Sequence, residues 1–387
     1  MPWSKQLIAN LAERKAAGRY RQQRIRIGEQ GVAVVIDGKP LLSFCSNDYL
    51  GLASHPDLKK AFIKAVDKEG VGSGAAHLLT GHSQYHQQLE QALAEFTRQQ
   101  KVLLFSSGYQ ANLGVIDGLM IRGDVIIQDK LNHASLLDGG RLSAANQLRY
   151  QHADIAALSR RLQQVDQKNC LLVTDGVFSM DGDIAPLPEL ITLAKQHNAA
   201  VMIDDAHGLG VLGEHGRGSV EHWNIAAADR PIVIGTFGKA FGTAGAFVAA
   251  DDEVIETLIQ QSRSYIYTTA QPAAIAAATL ASLELVQQQN WRREKLQTLI
   301  SQFRTGAKAL GLQLMDSPTP IQPVLIGDDK QAISIGKSLE QKGILVGVIR
   351  PPTVPEGSAR LRITLSASHT EQHIIQLLDA LESICAH

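Results

Sequence analysis

Cysteine is scarce in this chain: Cys45, Cys170 and Cys385 are the only three in 387 residues. They are odd in number, far apart and never paired as C-x-x-C, which argues against a disulfide framework or a zinc ribbon and fits a reducing cytoplasm. An excess of either charge is also missing, with 37 Lys and Arg against 38 Asp and Glu. A nucleic-acid binder would carry a basic stripe, so no nucleic-acid partner is expected. No stretch approaches the roughly 20 apolar residues of a membrane-spanning helix, so no membrane partner is expected either. Internal repeats and low-complexity tracts are absent. The start of the chain lacks the continuous apolar run of a secretory leader. Trp3, Leu7, Ile8 and Leu11 share one helical face ahead of Lys15, Arg19, Arg21, Arg24 and Arg26, and this reads as a docking helix.

What is present is an ordinary globular composition, 44% hydrophobic and 19% charged, in a chain long enough for a large core plus smaller modules. Between Val102 and Ala250 short apolar runs alternate with helical stretches. The strand candidates are Val102–Phe105, Val125–Gln128, Leu148–Gln151, Leu171–Thr174, Val201–Ile203, Ile232–Gly235 and Ala246–Ala249. Several are apolar without alternation, as expected of strands buried on both faces. The rhythm predicts an α/β fold with a mostly parallel seven-stranded sheet. Beyond Leu280 the pattern changes to an α+β tail with strands at Ile321–Ile326, Leu345–Ile349 and Arg360–Thr364. The division expected is an N-terminal helix and arm (1–50), a large α/β domain (51–285) and a small C-terminal α+β domain (286–387).

In parallel sheets ligands gather at the carboxyl ends of the strands, and the residues there form a series. Thr236-Phe237-Gly238-Lys239-Ala240-Phe241-Gly242 follows one strand. Its lysine is a candidate Schiff-base nucleophile if burial depresses its pKa, or else a surface lysine in a flexible loop. Asp204-Asp205-Ala206-His207-Gly208 follows another strand. A carboxylate there needs a cationic partner; a pyridinium nitrogen serves, and a helix cap or a metal are the alternatives. No third and fourth ligand lie at suitable spacing, so no metal is expected. Ser106-Ser107-Gly108-Tyr109 opens a helix as a phosphate seat or a plain cap. His133 is either a ring that stacks on a flat cofactor or a structural histidine, and Ser179 lies in a glycine-aspartate turn. Each signal is moderate, but five strands deliver complementary groups to one edge. No G-x-G-x-x-G with a following acid supports a nicotinamide enzyme.

At these residues the chain resembles the α-oxoamine synthases, pyridoxal-phosphate enzymes of fold type I. The motifs are Ser46–Leu52 (SNDYLGL), Thr174–Asp183 (TDGVFSMDGD), Asp204–Gly208 (DDAHG), Thr236–Gly242 (TFGKAFG) and Arg360-Leu361-Arg362. TFGK and Ile349–Pro355 (IRPPTVP) favour the member that condenses L-alanine with a pimeloyl thioester in biotin synthesis. The resemblance implies pyridoxal 5'-phosphate on Lys239, which also shuttles a proton. It pairs Asp204 with the pyridine nitrogen, sets His207 and Ser179 near the ring oxygen, and stacks His133 on the ring beside the substrate. Gly108, Tyr109 and Thr236 would hold the phosphate. Arg362 and Asn47 would hold the amino-acid carboxylate, and Arg21 and Thr353 the acyl substrate, delivered by coenzyme A or an acyl carrier protein. It further implies a homodimer in which Thr268 or Thr269 reaches the partner's phosphate.

Overall fold

The computed structural model describes residues 1–165 and 168–385. Thirteen strands are named here in chain order: β1 (Arg26–Ile27), β2 (Ala33–Ile36), β3 (Lys39–Phe44), β4 (Lys101–Phe105), β5 (Val125–Asp129), β6 (Asn146–Tyr150), β7 (Cys170–Asp175), β8 (Ala200–Asp204), β9 (Ile232–Thr236), β10 (Ala246–Ala250), β11 (Ile321–Gly327), β12 (Ile344–Ile349) and β13 (Ala359–Thr364). All seven strands expected in the large sheet form, ordered β4-β10-β9-β8-β7-β5-β6. The pairs from β9 through β6 are parallel, and β10 alone runs against its two neighbours.

The uninterrupted apolar runs are explained by the period of two along a strand. Leu104, Ile127, Leu172, Ile203, Val233 and Phe247 point into one hydrophobic cluster. Their neighbours Leu103, Ile126, Leu171, Met202, Ile234 and Val248 point into a second. Helices on both faces complete these layers. Gly108–Leu119 and Ala134–Leu142 contribute Val115, Ile116 and Leu136 to one cluster, while Gln84–Thr97 contributes Leu89, Leu93 and Phe96 to the other. With both faces covered, the polar residues of β5, β7, β8 and β9 lie toward their carboxyl ends.

The second sheet is ordered β1-β2-β3-β12-β13-β11. All three expected C-terminal strands are in it, joined by strands from the first fifty residues. β3 pairs in parallel with β12, Leu42 opposite Ile344 and Phe44 opposite Val346. This arrangement has a functional consequence, because Asn47 leaves β3 beside Arg362 on β13. The expected docking helix forms over Ser4–Ala16 but buries no residue on its own chain. Trp3, Leu7, Ile8 and Leu11 remain exposed. Among the described residues no helix is long and apolar enough to cross a membrane.

Candidate active site

Four parallel strands end in polar residues along one edge: Asp129 on β5, Asp175 on β7, Asp204 on β8 and Thr236 on β9. β7 and β8 are in register there, with Asp175 opposite Asp204. Two carboxylates meeting at the end of a buried pair need donors, and each has them. Asp204 Oδ1 accepts from the Ala206 amide at 3.0 Å and Oδ2 from Asn112 Nδ2 at 2.6 Å. Asp175 Oδ2 accepts from the His133 amide at 2.7 Å. Burial, together with the charge of Asp204, pushes the Asp175 carboxyl well above the usual carboxylate range.

Lys239 follows β9 in a tight loop, and its amine makes no hydrogen bond to protein among the described residues. Burial draws its ammonium down to about 8, although Asp204 and Asp175 favour the charged form. Gly242 lets this loop turn close to the preceding structure: its φ is +67°, and a Cβ there would lie 2.4 Å from the Ala53 amide nitrogen.

Ser107 caps the helix Gly108–Leu119 by accepting from the Gln110 amide at 3.3 Å. The plain-cap reading is therefore correct for Ser107. It leaves the first amides, of Gly108 and Tyr109, without acceptors inside the helix, which favours an anion there. A Cβ on Gly108 would meet only the Thr236 side chain, at 3.8 and 3.9 Å. The helix start, Gly108 and Thr236 thus enclose a small cradle. The ring of Tyr109 points elsewhere, its hydroxyl donating to Asp138.

His133 keeps part of its surface exposed and part desolvated by its surroundings. Its Nδ1 lies 2.7 Å from Ser135 Oγ, and burial lowers its pKa below the usual histidine value. His207 is deeply buried, with Nδ1 2.6 Å from the Tyr49 hydroxyl. Burial, then the charges of Lys239 and Arg362, hold His207 neutral well below its ordinary pKa. Burial also pushes the Tyr49 hydroxyl up to about 12. Arg362 joins the two sheets: Nε donates to the Ser179 carbonyl at 2.6 Å, and Nη1 and Nη2 reach Asn47 Oδ1 at 3.4 and 3.3 Å. The expected pair Arg362 and Asn47 is therefore assembled from strands of opposite ends of the chain.

Other expected residues are not gathered in. Arg21 is exposed, lies outside any helix or strand, and has no hydrogen bond to a site residue among those described. Thr353 is exposed in the turn between β12 and β13, where its amide donates to the Arg350 carbonyl at 3.1 Å. Thr268 is half-buried and Thr269 exposed. In contrast, four residues with no role read from sequence are central. Tyr49 holds His207, Asn112 holds Asp204, and Asp175 holds the His133 backbone. His152 bridges two active-site loops, with Nδ1 3.1 Å from Asp129 and Nε2 2.9 Å from Asp183. Burial opposes its charge, but those two carboxylates raise its pKa to about 10. Of these four, Tyr49 and Asp175 lie inside the motifs SNDYLGL and TDGVFSMDGD.

The donor set suits pyridoxal phosphate. It offers an unpaired amine, a firmly held carboxylate with lone pairs left over, a partly exposed imidazole and a cradle bounded by free amides. Asn112 Oδ1 is buried without a partner, a further polar atom left beside Asp204. Fold and site together define a pyridoxal-phosphate-dependent enzyme of fold type I.

Residues 39–381 match the family model for class I and II aminotransferases. An 8-amino-7-oxononanoate synthase of Nitrosococcus oceani is 57% identical over 374 residues, covering 97% of this chain and 99% of the relative. One from Pseudomonas putida strain W619 is 58% identical over 375 residues, covering 97% and 96%. A solved serine palmitoyltransferase from S. paucimobilis with PLP and myriocin bound superposes with a TM-score of 0.93 at 31% identity, covering 100% of this chain and 98% of that one. A solved 8-amino-7-oxononanoate synthase from Francisella tularensis superposes with a TM-score of 0.78 at 34% identity, covering 89% and 98%. The chain belongs to the class I and II aminotransferase family and, within it, to the 8-amino-7-oxononanoate synthases.

Proposed function

We propose that the enzyme condenses L-alanine with a pimeloyl thioester, carried by coenzyme A or an acyl carrier protein, releasing CO2 and the free thiol. The product is 8-amino-7-oxononanoate, a step of biotin synthesis, made in the cytoplasm by a homodimer. Pyridoxal phosphate supplies the electron sink that makes an amino acid's Cα proton removable. Lys239 anchors the cofactor, and its Nζ moves the Cα proton, a task suited to an amine with a pKa of about 8. Asp204 holds a proton at the pyridine nitrogen and is itself kept in line by Asn112 and the Ala206 amide. His133 covers one ring face. His207, oriented by Tyr49, and Ser179 serve the ring oxygen.

Gly108, Tyr109 and Thr236 bind the phosphate. Arg362 grips the alanine carboxylate with a planar guanidinium already braced by Ser179 and Asn47. Arg21 and Thr353 contact the acyl chain in the assembled dimer, and Thr268 or Thr269 reaches the partner's phosphate. The observation that carries this reading is the unpaired Lys239 amine, its pKa lowered by burial, at the same sheet edge as the doubly anchored Asp204 carboxylate. Steady-state assays of the purified enzyme against alanine, glycine and serine, each with pimeloyl, acetyl, succinyl and palmitoyl thioesters, test the substrate assignment. Alanine with pimeloyl thioester is expected to give the highest kcat/KM; a higher value for glycine or serine with another acyl group would overturn it.

A further inference from the structure

A cluster of histidines lies apart from the site just described. His77, His82 and His86 each bring one ring nitrogen within 4.8 Å of the others. The local fold explains why they meet. His77 opens a single π-turn, His77–Gly81, and His82 and His86 follow four residues apart at the start of the helix Gln84–Thr97. Gly81 permits the turn, since a Cβ there would lie 2.2 Å from the Ala75 carbonyl oxygen.

The hydrogen bonds around the cluster fix the tautomer of one ring. His86 Nε2 lies 2.9 Å from the Gln271 carbonyl oxygen, which only accepts, so Nε2 carries the proton. In the neutral ring, Nδ1 then holds a lone pair, now turned to the Ser83 amide at 3.0 Å. His82 has Nδ1 2.9 Å from His77 Nδ1 and Nε2 3.8 Å from a Glu90 carboxylate oxygen. The His77 ring is stacked on Tyr265 at 5.3 Å. One nitrogen of each ring therefore lies within reach of the other two, and His86 and His82 each direct a nitrogen to a carbonyl or a carboxylate. That outer arrangement is how metal-binding imidazoles are oriented.

We propose that His77, His82 and His86 bind one divalent transition-metal ion of borderline softness, of which zinc is the type. Imidazole nitrogen favours such ions over magnesium or calcium. Tetrahedral Zn–N bonds of about 2.0–2.1 Å place ligand nitrogens about 3.3 Å apart, so the His77–His82 pair opens by a few tenths of an ångström on binding. His86 gives up its bond from the Ser83 amide, and Ser83 Oγ or a solvent oxygen takes the fourth position. A cavity of about 330 Å³, lined in part by His82, Glu90 and Tyr265, gives an entry path. Sequence reading missed this site because the one ligand search it prompted began from Asp204 and His207.

One other group, His152 with Asp181 and Asp183, also gathers ligand atoms. It carries no such proposal, because Arg360 already pairs with Asp181 and the His152 ring bridges Asp129 and Asp183. At the histidine cluster no lysine or arginine makes a hydrogen bond to the three rings among the described residues. Gln271, whose carbonyl anchors His86, also accepts from Ser73 Oγ at 2.7 Å, so a bound ion would stiffen the segment after Thr269.

The test uses holoenzyme freed of metal by dialysis against chelator and titrated with Zn²⁺ in competition with a chromophoric chelator. One Zn²⁺ per chain is expected, together with a rise in melting temperature. His82→Gln and His77→Gln are each expected to lose that equivalent, and Glu90→Gln to weaken binding by about 10–100-fold. Failure of the unmodified enzyme to take up a stoichiometric equivalent would overturn the proposal. So would an affinity left unchanged in both histidine variants.

Discussion

The two sheets divide the work at the active site, and they are built on different rules. The large sheet is covered on both faces, so the polar residues of β7, β8 and β9 collect toward their carboxyl ends, where Asp175, Asp204 and Thr236 lie. The small sheet is made from distant segments, β3 near the start of the chain and β11–β13 near its end. It supplies the clamp formed by Asn47 and Arg362. On the proposed function, the large sheet would govern the cofactor and the movement of protons, and the small sheet the grip on the amino acid. Substitutions in the first should act mainly on kcat, and those in the second mainly on KM.

The sharpest way to break this division is at Lys239. Lys239→Ala should reduce turnover by at least about 10⁴-fold, the upper range for loss of a general base, with the fold retained by circular dichroism. Asp204→Asn comes next. Loss of a charge-assisted hydrogen bond of about 1.5–3 kcal/mol should lower kcat by about 10–150-fold, and deuterium exchange at alanine Cα should fall in parallel. Arg362→Ala should instead raise the KM for alanine by about 10–150-fold on the same scale, with the smaller change in kcat. An equal fall in kcat for Arg362→Ala and Asp204→Asn would erase the distinction between the sheets.

A pH profile sharpens it further. An amine with a pKa of about 8 accepts a proton only when neutral. The Cα-exchange rate should therefore fall about tenfold per pH unit well below 8 and level off above it. Arg362→Ala should leave that lower limb in shape, since Arg362 moves no proton. Indeed, removing its positive charge should shift the midpoint slightly upward, because Arg362 is among the groups that lower the Lys239 pKa. The smallest effect is expected at Tyr49→Phe, which removes the 2.6 Å contact to His207 Nδ1. A loss of about 1 kcal/mol corresponds to roughly a fivefold drop in kcat.

Much of the large sheet was legible because burial on both faces leaves a plain signal, such as the runs Leu171-Leu172-Val173 and Ile232-Val233-Ile234. The strand ends then pointed to Asp204 and Lys239. The first fifty residues were harder to read. β1 has two residues and β2 four, and they join the sheet through β3, whose pairing with β12 is some three hundred residues distant. Asn112 was hidden for a similar reason. It is an ordinary helical position by sequence, and its contact with Asp204 spans 92 residues. Arg21 and Thr353 were named on resemblance alone, and within one chain neither reaches the site residues that local pattern had marked.

Borohydride reduction of the holoenzyme, followed by proteolysis and mass mapping, tests the central claim most directly. The reduced cofactor should be found on Lys239, in the peptide containing Thr236–Gly242, and nowhere else in the chain. A stoichiometric label on a different lysine, or none at all from a preparation that holds its full complement of pyridoxal phosphate, would contradict the account.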